Sequence, residues 1–396
     1  MGPWIPSLRH TIGTSHLRWN EPAKGPTDDT LVRPNREVRL RVLVATIVHT
    51  PADARIYHRQ IRALRQAGHQ ITFMAPFTSY NVRVPDDVTG LDVPRASGTN
   101  RLRANLTAGR LLRQQAPQHD ITLIHDPELL LAASNTSQKF VWDVHEDTAA
   151  AVSMKSWIPK PLSSMSRFGT QKLEQWAENH LHIILAEDGY RSRFRLEHPV
   201  VPNTTSVPRS VELSGDKFVI YLGSITRARG AFELVEMGKA LRRDGVTVRL
   251  VGNAESDLVD VLSEAHAQGF IDWHGFIPND SAVTMLNGAL AGISPLHDED
   301  NYRRSRPTKV IEYMAHGVAV ISTPNPPAVQ LISQFECGKV VPYKDSRALV
   351  DAVLELRDDS AKRQLFADNG HHAALTNFNW DRDQVGFVQQ LEDWAH

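Results

Sequence analysis

Ser305-Arg306-Pro307-Thr308-Lys309-Val310-Ile311-Glu312-Tyr313-Met314-Ala315-His316-Gly317, continued by Val318-Ala319-Val320-Ile321, is the stretch that decides the fold. It reads as a helix feeding a buried strand. Pro307 suits the first helical position, where a missing N–H is no loss. Gly317 suits the turn at the end. Val310, Ile311, Met314 and Ala315 recur at helical spacing and predict an inward face. Lys309 and Glu312, three apart, share the other face. A helix start flanked by Arg306 and Lys309 favours phosphate. One turn along, about 5 Å away, Glu312 offers a carboxylate that can accept two hydroxyl hydrogens. Phosphate at one point and a diol at the next outline a nucleotide. The plainer alternative is an amphipathic surface helix.

The chain around this stretch repeats one rhythm. Residues 218–223, 248–252, 271–274, 291–295, 318–322 and 339–342 read as short buried strands, with helices through Leu234 and Leu241, over Ala348–Leu356 and over Gln384–Trp394. Upstream, 41–46, 71–76, 121–124, 140–144 and 182–185 read the same way, with helices from Ile56 to near Gly68 and over 169–180. Strands alternating with helices imply parallel sheets covered on both faces. The segment 201–216, rich in Pro and Thr, separates two such units and reads as a linker. Residues 1–38 hold five prolines and no periodicity, and read as a disordered arm. The expected division is therefore arm 1–38, first domain 39–200, linker 201–216, second domain 217–378 and a terminal helix 379–396.

Composition narrows the function. A chain of 396 residues suits two or three domains. The formal charge of -1 gives no global attraction to nucleic acid. The single cysteine, Cys337, excludes a disulfide framework and a cysteine metal site. No run is long and apolar enough for a membrane span, and no signal-peptide core stands at the start. The expectation is a soluble cytoplasmic chain, compatible with peripheral attachment at the inner face of a membrane.

Polar constellations follow the strands, where ligands bind in such sheets. In the first domain these are His49-Thr50-Pro51-Ala52-Asp53-Ala54-Arg55, His125-Asp126-Pro127-Glu128 and Asp143-Val144-His145-Glu146-Asp147. Histidines beside carboxylates suit acid–base work or hydroxyl recognition. A metal is the alternative, set aside because the spacing matches no known cluster. In the second domain Gly223-Ser224-Ile225-Thr226-Arg227-Ala228-Arg229-Gly230 joins a strand to its helix, and its arginines can grip a diphosphate. Phe276, in His274-Gly275-Phe276-Ile277-Pro278, could flank a planar base; core packing is the other reading. His297-Asp298-Glu299-Asp300 invites a divalent cation, but Arg303, Arg304 and Arg306 make it a self-neutralised loop.

Taken in order, these motifs resemble the GT-B-fold retaining glycosyltransferases, in particular the nucleotide-sugar-dependent family 4, glycosyl transferases group 1. The resemblance runs from about Arg41 to the C-terminus and includes Phe378-Asn379-Trp380 before the last helix. It implies two doubly wound Rossmann-like domains with parallel sheets facing a central cleft, and a last helix crossing back to the first domain. It implies a donor site from Gly223, Ser224, Arg227, Arg229, Phe276, Thr308, Lys309 and Glu312, with Glu312 on the ribose hydroxyls. Acceptor contacts would come from His49, Asp53, Arg55, Asp126, His145 and Glu146. His125, Arg229 and Lys309 would carry catalysis. The implied donor is a nucleoside diphosphate sugar, and the acceptor a glycan, a lipid-linked group or a small molecule. No metal and no cofactor would be required, and the oligomeric state stays open. Where many members carry a first glutamate, this chain has Arg304, which leaves the sugar open. A non-catalytic nucleotide-sugar-binding subunit and a GT-B-fold nucleotide-sugar epimerase are the rival readings.

Overall fold

The structure, a computed structural model, describes residues 39–133, 139–145, 160–300, 302–303 and 306–396. The expected arm, Glu146 and Arg304 lie outside them. Among the described residues, twelve short strands build two six-stranded, all-parallel sheets. The first holds β1 (Arg41–Ala45), β2 (Gln70–Ala75), β3 (Thr89–Asp92), β4 (Ile121–Ile124), β5 (Phe140–Val144) and β6 (His182–Leu185), in the order β3-β2-β1-β4-β5-β6. The second holds β7 (Phe218–Leu222), β8 (Thr247–Val251), β9 (Asp272–Trp273), β10 (Ala291–Ser294), β11 (Val320–Ser322) and β12 (Gly338–Val340), in the order β12-β11-β10-β7-β8-β9. Counted from its own first strand, the second sheet repeats the order of the first. Each therefore has a switch point, between β1 and β4 and between β7 and β10, where a doubly wound sheet opens a crevice.

Apolar burial on both faces explains the strand sequences. Val42, Val44 and Phe73 pack on one side of the first sheet, Leu43, Ala45 and Met74 on the other. Such strands read as continuous apolar runs rather than alternations. β3 was not expected from sequence. Its residues, Thr89-Gly90-Leu91-Asp92, are poor strand formers at a sheet edge.

Helix Ser360–Asn377 was also not expected. Ala367, Gly370, Ala373 and Ala374 are its buried stripe, and such small residues carry almost no hydrophobic signal. They let it lie close on helix Thr308–Ala315: a side chain at Gly370 would stand 3.4 Å from the Met314 Cα. With this helix on one side and the sheet and first domain on others, every residue from Lys309 to Ala315 is buried, so the expected solvent-facing side of the helix is absent there. Pro307 sits at its N-cap, one position before the expected place, and Gly317 turns the chain at φ 63°.

Two strands of chain cross between the halves side by side. Thr205 and Asn379 form a parallel bridge, with Trp380 N donating to Thr205 O at 2.9 Å. Helix Trp380–Ala395 then lies on the first sheet, where Trp380, Phe387, Val388 and Leu391 join Val42, Val44, Ile61 and Phe73 in one core.

Candidate active site

The second sheet's crevice is shaped by Tyr313. Its hydroxyl accepts from Leu222 N at 3.1 Å and donates to Ile293 O at 3.1 Å, bridging the ends of β7 and β10 where the ladder splays. Gly292 makes room for the ring, since a Cβ there would collide with it. Past β7 the chain enters Gly223 at φ 114°, a conformation that favours glycine.

Lys309 projects into this crevice. Its ammonium lies 3.7 Å from the centre of the Tyr221 ring and beside Gly223. Lys309 is buried, and Nζ has no hydrogen-bond partner among the described residues. Burial, then the neighbouring Arg229, hold its pKa well below the usual lysine range, against Glu312. Arg229 is half-buried, and its Nε reaches the Tyr302 hydroxyl at 3.4 Å. Its backbone N–H is fixed by Thr226 Oγ1 at 3.2 Å. Two cations held together, neither bonded to a carboxylate of a described residue, form a ready anion site, helped by the N-terminus of helix Thr308–Ala315, which half-buried Thr308 opens.

One turn on, Glu312 is buried and accepts from Asn279 Nδ2 at 3.2 Å. Arg59, from the first domain, stands 3.6 Å from the same oxygen. Burial raises the Glu312 pKa, with Arg59, Asn279 and Lys309 opposing the rise.

The first sheet's crevice holds a different kind of cluster. Because β1, β4 and β5 are neighbours, their three loops converge. Arg55 clamps Asp143 through Nε and Nη2, both at 2.7 Å, and Gln60 adds a bond at 2.8 Å. Burial works to raise the Asp143 pKa, but Arg55, with His125 and His145, outweighs it and holds the carboxyl far below its usual range. His125 lies over this carboxylate, Nδ1 3.3 Å from Oδ2, and its buried Nε2 has no partner among the described residues. His145 Nδ1 contacts Asp143 O at 3.1 Å, and its Nε2 meets His49 Nε2 at 3.2 Å. Burial and His49 lower the His145 pKa to about 3, so it is neutral at physiological pH. A backbone carbonyl at Nδ1 then requires the proton there, leaving Nε2 to accept from His49.

Several expected acceptor contacts have another task. Asp53 accepts from Arg55 N and Ile56 N at 2.8 and 3.0 Å, starting the turn Ile56–Ile61. Asp126 accepts from Ile47 N and stands 3.4 Å from His49 Nε2. Arg55 is buried on Asp143. These three shape the loops from within, while His49 and His145 are half-buried.

His125, Asp143 and His145 offer ligand atoms within 4.8 Å of one another. Asp143 already accepts from an arginine and a glutamine, so it is a poor metal ligand. In the second domain Arg227 is exposed and bound to Asp257 at 2.7 Å, away from the expected diphosphate task. Ser224 is exposed and gives its carbonyl to Tyr221. Phe276 is 53% exposed, which excludes plain core packing. Arg303 grips Asp298 at 2.8 and 2.9 Å, the self-neutralised loop expected there.

Sequence reasoning missed Arg59, Gln60, Asn279, Glu187 and Tyr313. Glu187 follows β6 and faces Arg306 across the cleft at 3.8 Å; burial raises its pKa to about 6. Apart from Tyr313, which lies within the opening stretch, none carries a motif signal. A separate groove at the opposite end of the first sheet, lined by Arg39, Arg41, Arg65 and His119, begins at the strand starts and is remote from both crevices.

Residues 204–373 match the family model described as Glycosyl transferases group 1. The matched stretch covers the second sheet, β7 to β12, and is less than half of the chain. WcaL of Escherichia coli (strain K12), named as a candidate colanic acid biosynthesis glycosyltransferase, is 25% identical over 165 residues, 40% of this chain and 41% of that protein. The capsular polysaccharide biosynthesis glycosyltransferase CapM of Staphylococcus aureus is 24% identical over 181 residues, 42% of this chain and 44% of its own. The matches span less than half the length of these relatives. Solved structures match over nearly the whole chain. Sucrose-phosphate synthase of Thermosynechococcus elongatus gives a TM-score of 0.68 at 16% identity, covering 89% of this chain and 98% of that one. HepE of Anabaena, solved with UDP-glucose, gives 0.66 at 14%, covering 90% and 100%. The fold is GT-B: two Rossmann-like domains with parallel sheets.

Proposed function

We propose that this protein is a glycosyltransferase that moves a sugar from a nucleoside diphosphate sugar to an acceptor hydroxyl with retention of configuration. The observation that carries the reading is Lys309: a buried ammonium without a hydrogen-bond partner among the described residues, beside Arg229 and one turn from Glu312. An anion is what such a group needs, and a diphosphate leaving group develops negative charge as the glycosidic bond breaks. Glu312 would take the ribose diol, and His125 Nε2 would meet the transferred sugar. His49 and His145 would line the acceptor side. Attack from the face of departure, with the donor phosphate taking the acceptor proton, follows from the resemblance. The solved HepE complex with UDP-glucose supports a nucleotide-sugar donor by analogy.

No metal or other cofactor is needed in this reading, because Lys309, Arg229 and a helix N-terminus supply the positive charge; turnover should survive EDTA. The acceptor class follows the relatives named for polysaccharide biosynthesis: a glycan or lipid-linked group, with a small molecule as the alternative. No described helix is long and apolar enough to cross a membrane. Peripheral attachment would fall to helix Arg101–Gln115, whose Leu102, Arg103, Leu106, Arg110 and Arg113 are exposed.

A thermal-shift screen with UDP-, GDP- and dTDP-sugars tests the proposal. Selective binding raises the melting temperature. No rise with any of them sinks it.

A further inference from the structure

We infer that Arg59, contributed by the first domain, is a positioning residue for the donor carboxylate of the second, so that holding the diol and closing the two domains are one event. The inference rests on the donor-site reading of Glu312.

Arg59 lies on a π-helical turn, Ile56–Ile61. Such wide turns are uncommon and gather at functional sites. Arg55, Arg59 and Gln60 are all buried about this turn. Arg55 and Gln60 serve Asp143 within their own domain. Arg59 does not. Its Nη1 donates to Asn203 Oδ1 at 2.6 Å, and its Nη2 faces Glu312 Oε1 at 3.6 Å. Asn203 belongs to the segment that joins the domains, and Arg55 Nη2 holds the same segment through Val201 O at 3.0 Å. One guanidinium therefore ties the crossing chain to the donor carboxylate.

The two contacts to Glu312, from Arg59 and Asn279, both fall on Oε1. Oε2 receives no hydrogen bond from a described residue and is left for a ligand. Arg59 thus supports the carboxylate from one side without spending its second oxygen. Burial pushes the Glu312 pKa up, and Arg59 is the largest influence opposing it. Only the ionised carboxylate can accept from both hydroxyls of a diol. The other groups about it are Asn279 from the Asn279–Ala282 turn and Lys309 on its own helix. The next pair along the junction is His58 with Asp280, at 3.2 Å. Separating the domains would remove Arg59 alone among the contacts to Glu312 and leave Asn279 and Lys309. Glu312 would then drift toward its neutral form and weaken its hold on the diol.

The test is calorimetric titration of UDP, GDP and dTDP into the full chain between pH 6 and 9. Arg59→Met, Arg59→Lys, Glu312→Gln and the Arg59→Met/Glu312→Gln double variant are compared. Loss of Arg59 raises the Glu312 pKa further, so Arg59→Met should bind about tenfold more weakly at the acid end and recover as pH rises. Arg59→Lys should restore most of the affinity. Glu312→Gln should bind weakly at all pH values, and the double variant no more weakly than it. Melting curves identify a misfolded Arg59→Met, in which case Arg59→Lys and an Asn203→Ala variant carry the comparison. Wild-type affinity and pH dependence in Arg59→Met overturn the coupling alone. Tighter binding overturns it too, because the guanidinium would then be blocking the diol. Absence of nucleotide binding by the unmutated chain overturns the donor-site reading together with this one.

Discussion

The two walls of the cleft are built from the same strand order and spend their charges differently. On the first wall Asp143, Asp53 and Asp126 are satisfied from within. Asp143 takes Arg55 and Gln60, and Asp53 and Asp126 take loop N–H groups. On the second wall the cations are left over. Lys309 has no hydrogen-bond partner among the described residues, and Arg229 meets the hydroxyls of Tyr302 and Tyr221. A satisfied cluster holds its shape and presents few selected atoms, here His125 Nε2 and the His49–His145 pair. An unsatisfied one stores electrostatic cost until a ligand of opposite charge arrives. The first wall is therefore suited to orienting neutral hydroxyls, and the second to gripping an anion.

This contrast can be broken at graded strengths. Replacing both Arg229 and Lys309 by alanine should cut turnover by about a thousandfold with the nucleotide sugar found by thermal shift, because both cations that face the leaving group are gone. Turnover near the wild-type rate would remove the second wall from the chemistry. On the first wall, Asp143→Asn leaves Arg55 buried and unpaired. Chemical denaturation should show a loss of about 3–5 kcal/mol.

Lys309→Met should do the reverse and stabilise the unliganded protein, by about 1–4 kcal/mol at neutral pH. The sign follows from the lowered pKa. Between the folded and unfolded lysine values the unfolded chain holds more protons, so stability of the unmutated chain rises with pH there. The methionine variant should lack that rise. Tyr313→Phe removes the hydroxyl that bridges Leu222 N and Ile293 O, and should cost about 1–3 kcal/mol in the same assay. Arg227→Ala should change little in stability or turnover, since its guanidinium is exposed and engaged with Asp257. A large loss of turnover there would return Arg227 to the donor site.

Much of this was legible in the residues. Buried parallel strands announce themselves as apolar runs, and nine of the eleven expected strands overlap observed ones by three or more residues; the other two, 271–274 and 339–342, each share two residues with β9 and β12. The helix at Thr308 with its cation and carboxylate one turn apart was also readable, since both the period and the polar exceptions are local. What escaped were elements without a local signal. Helix Ser360–Asn377 buries alanines and a glycine. Strand Thr89–Asp92 stands at an edge. That Asp53, Asp126 and Arg55 have partners within the first domain was hidden for a related reason. A polar residue in a loop after a strand looks the same whether it faces a ligand or caps its own backbone.

The sequence by itself determined two doubly wound sheets, their strand ends as the active rim, and Glu312 with Lys309 as a paired feature of one helix. Those properties depend on periods and spacings of a few residues. Only the tertiary structure decided that Lys309 Nζ, beside Gly223, has no hydrogen-bond partner among the described residues, that Asp143 is consumed by Arg55, and that Arg59 reaches Glu312 from the other domain. Each is a statement about which charges share a desolvated space. Residues 59 and 312 stand far apart along the chain, and no local pattern encodes that they meet.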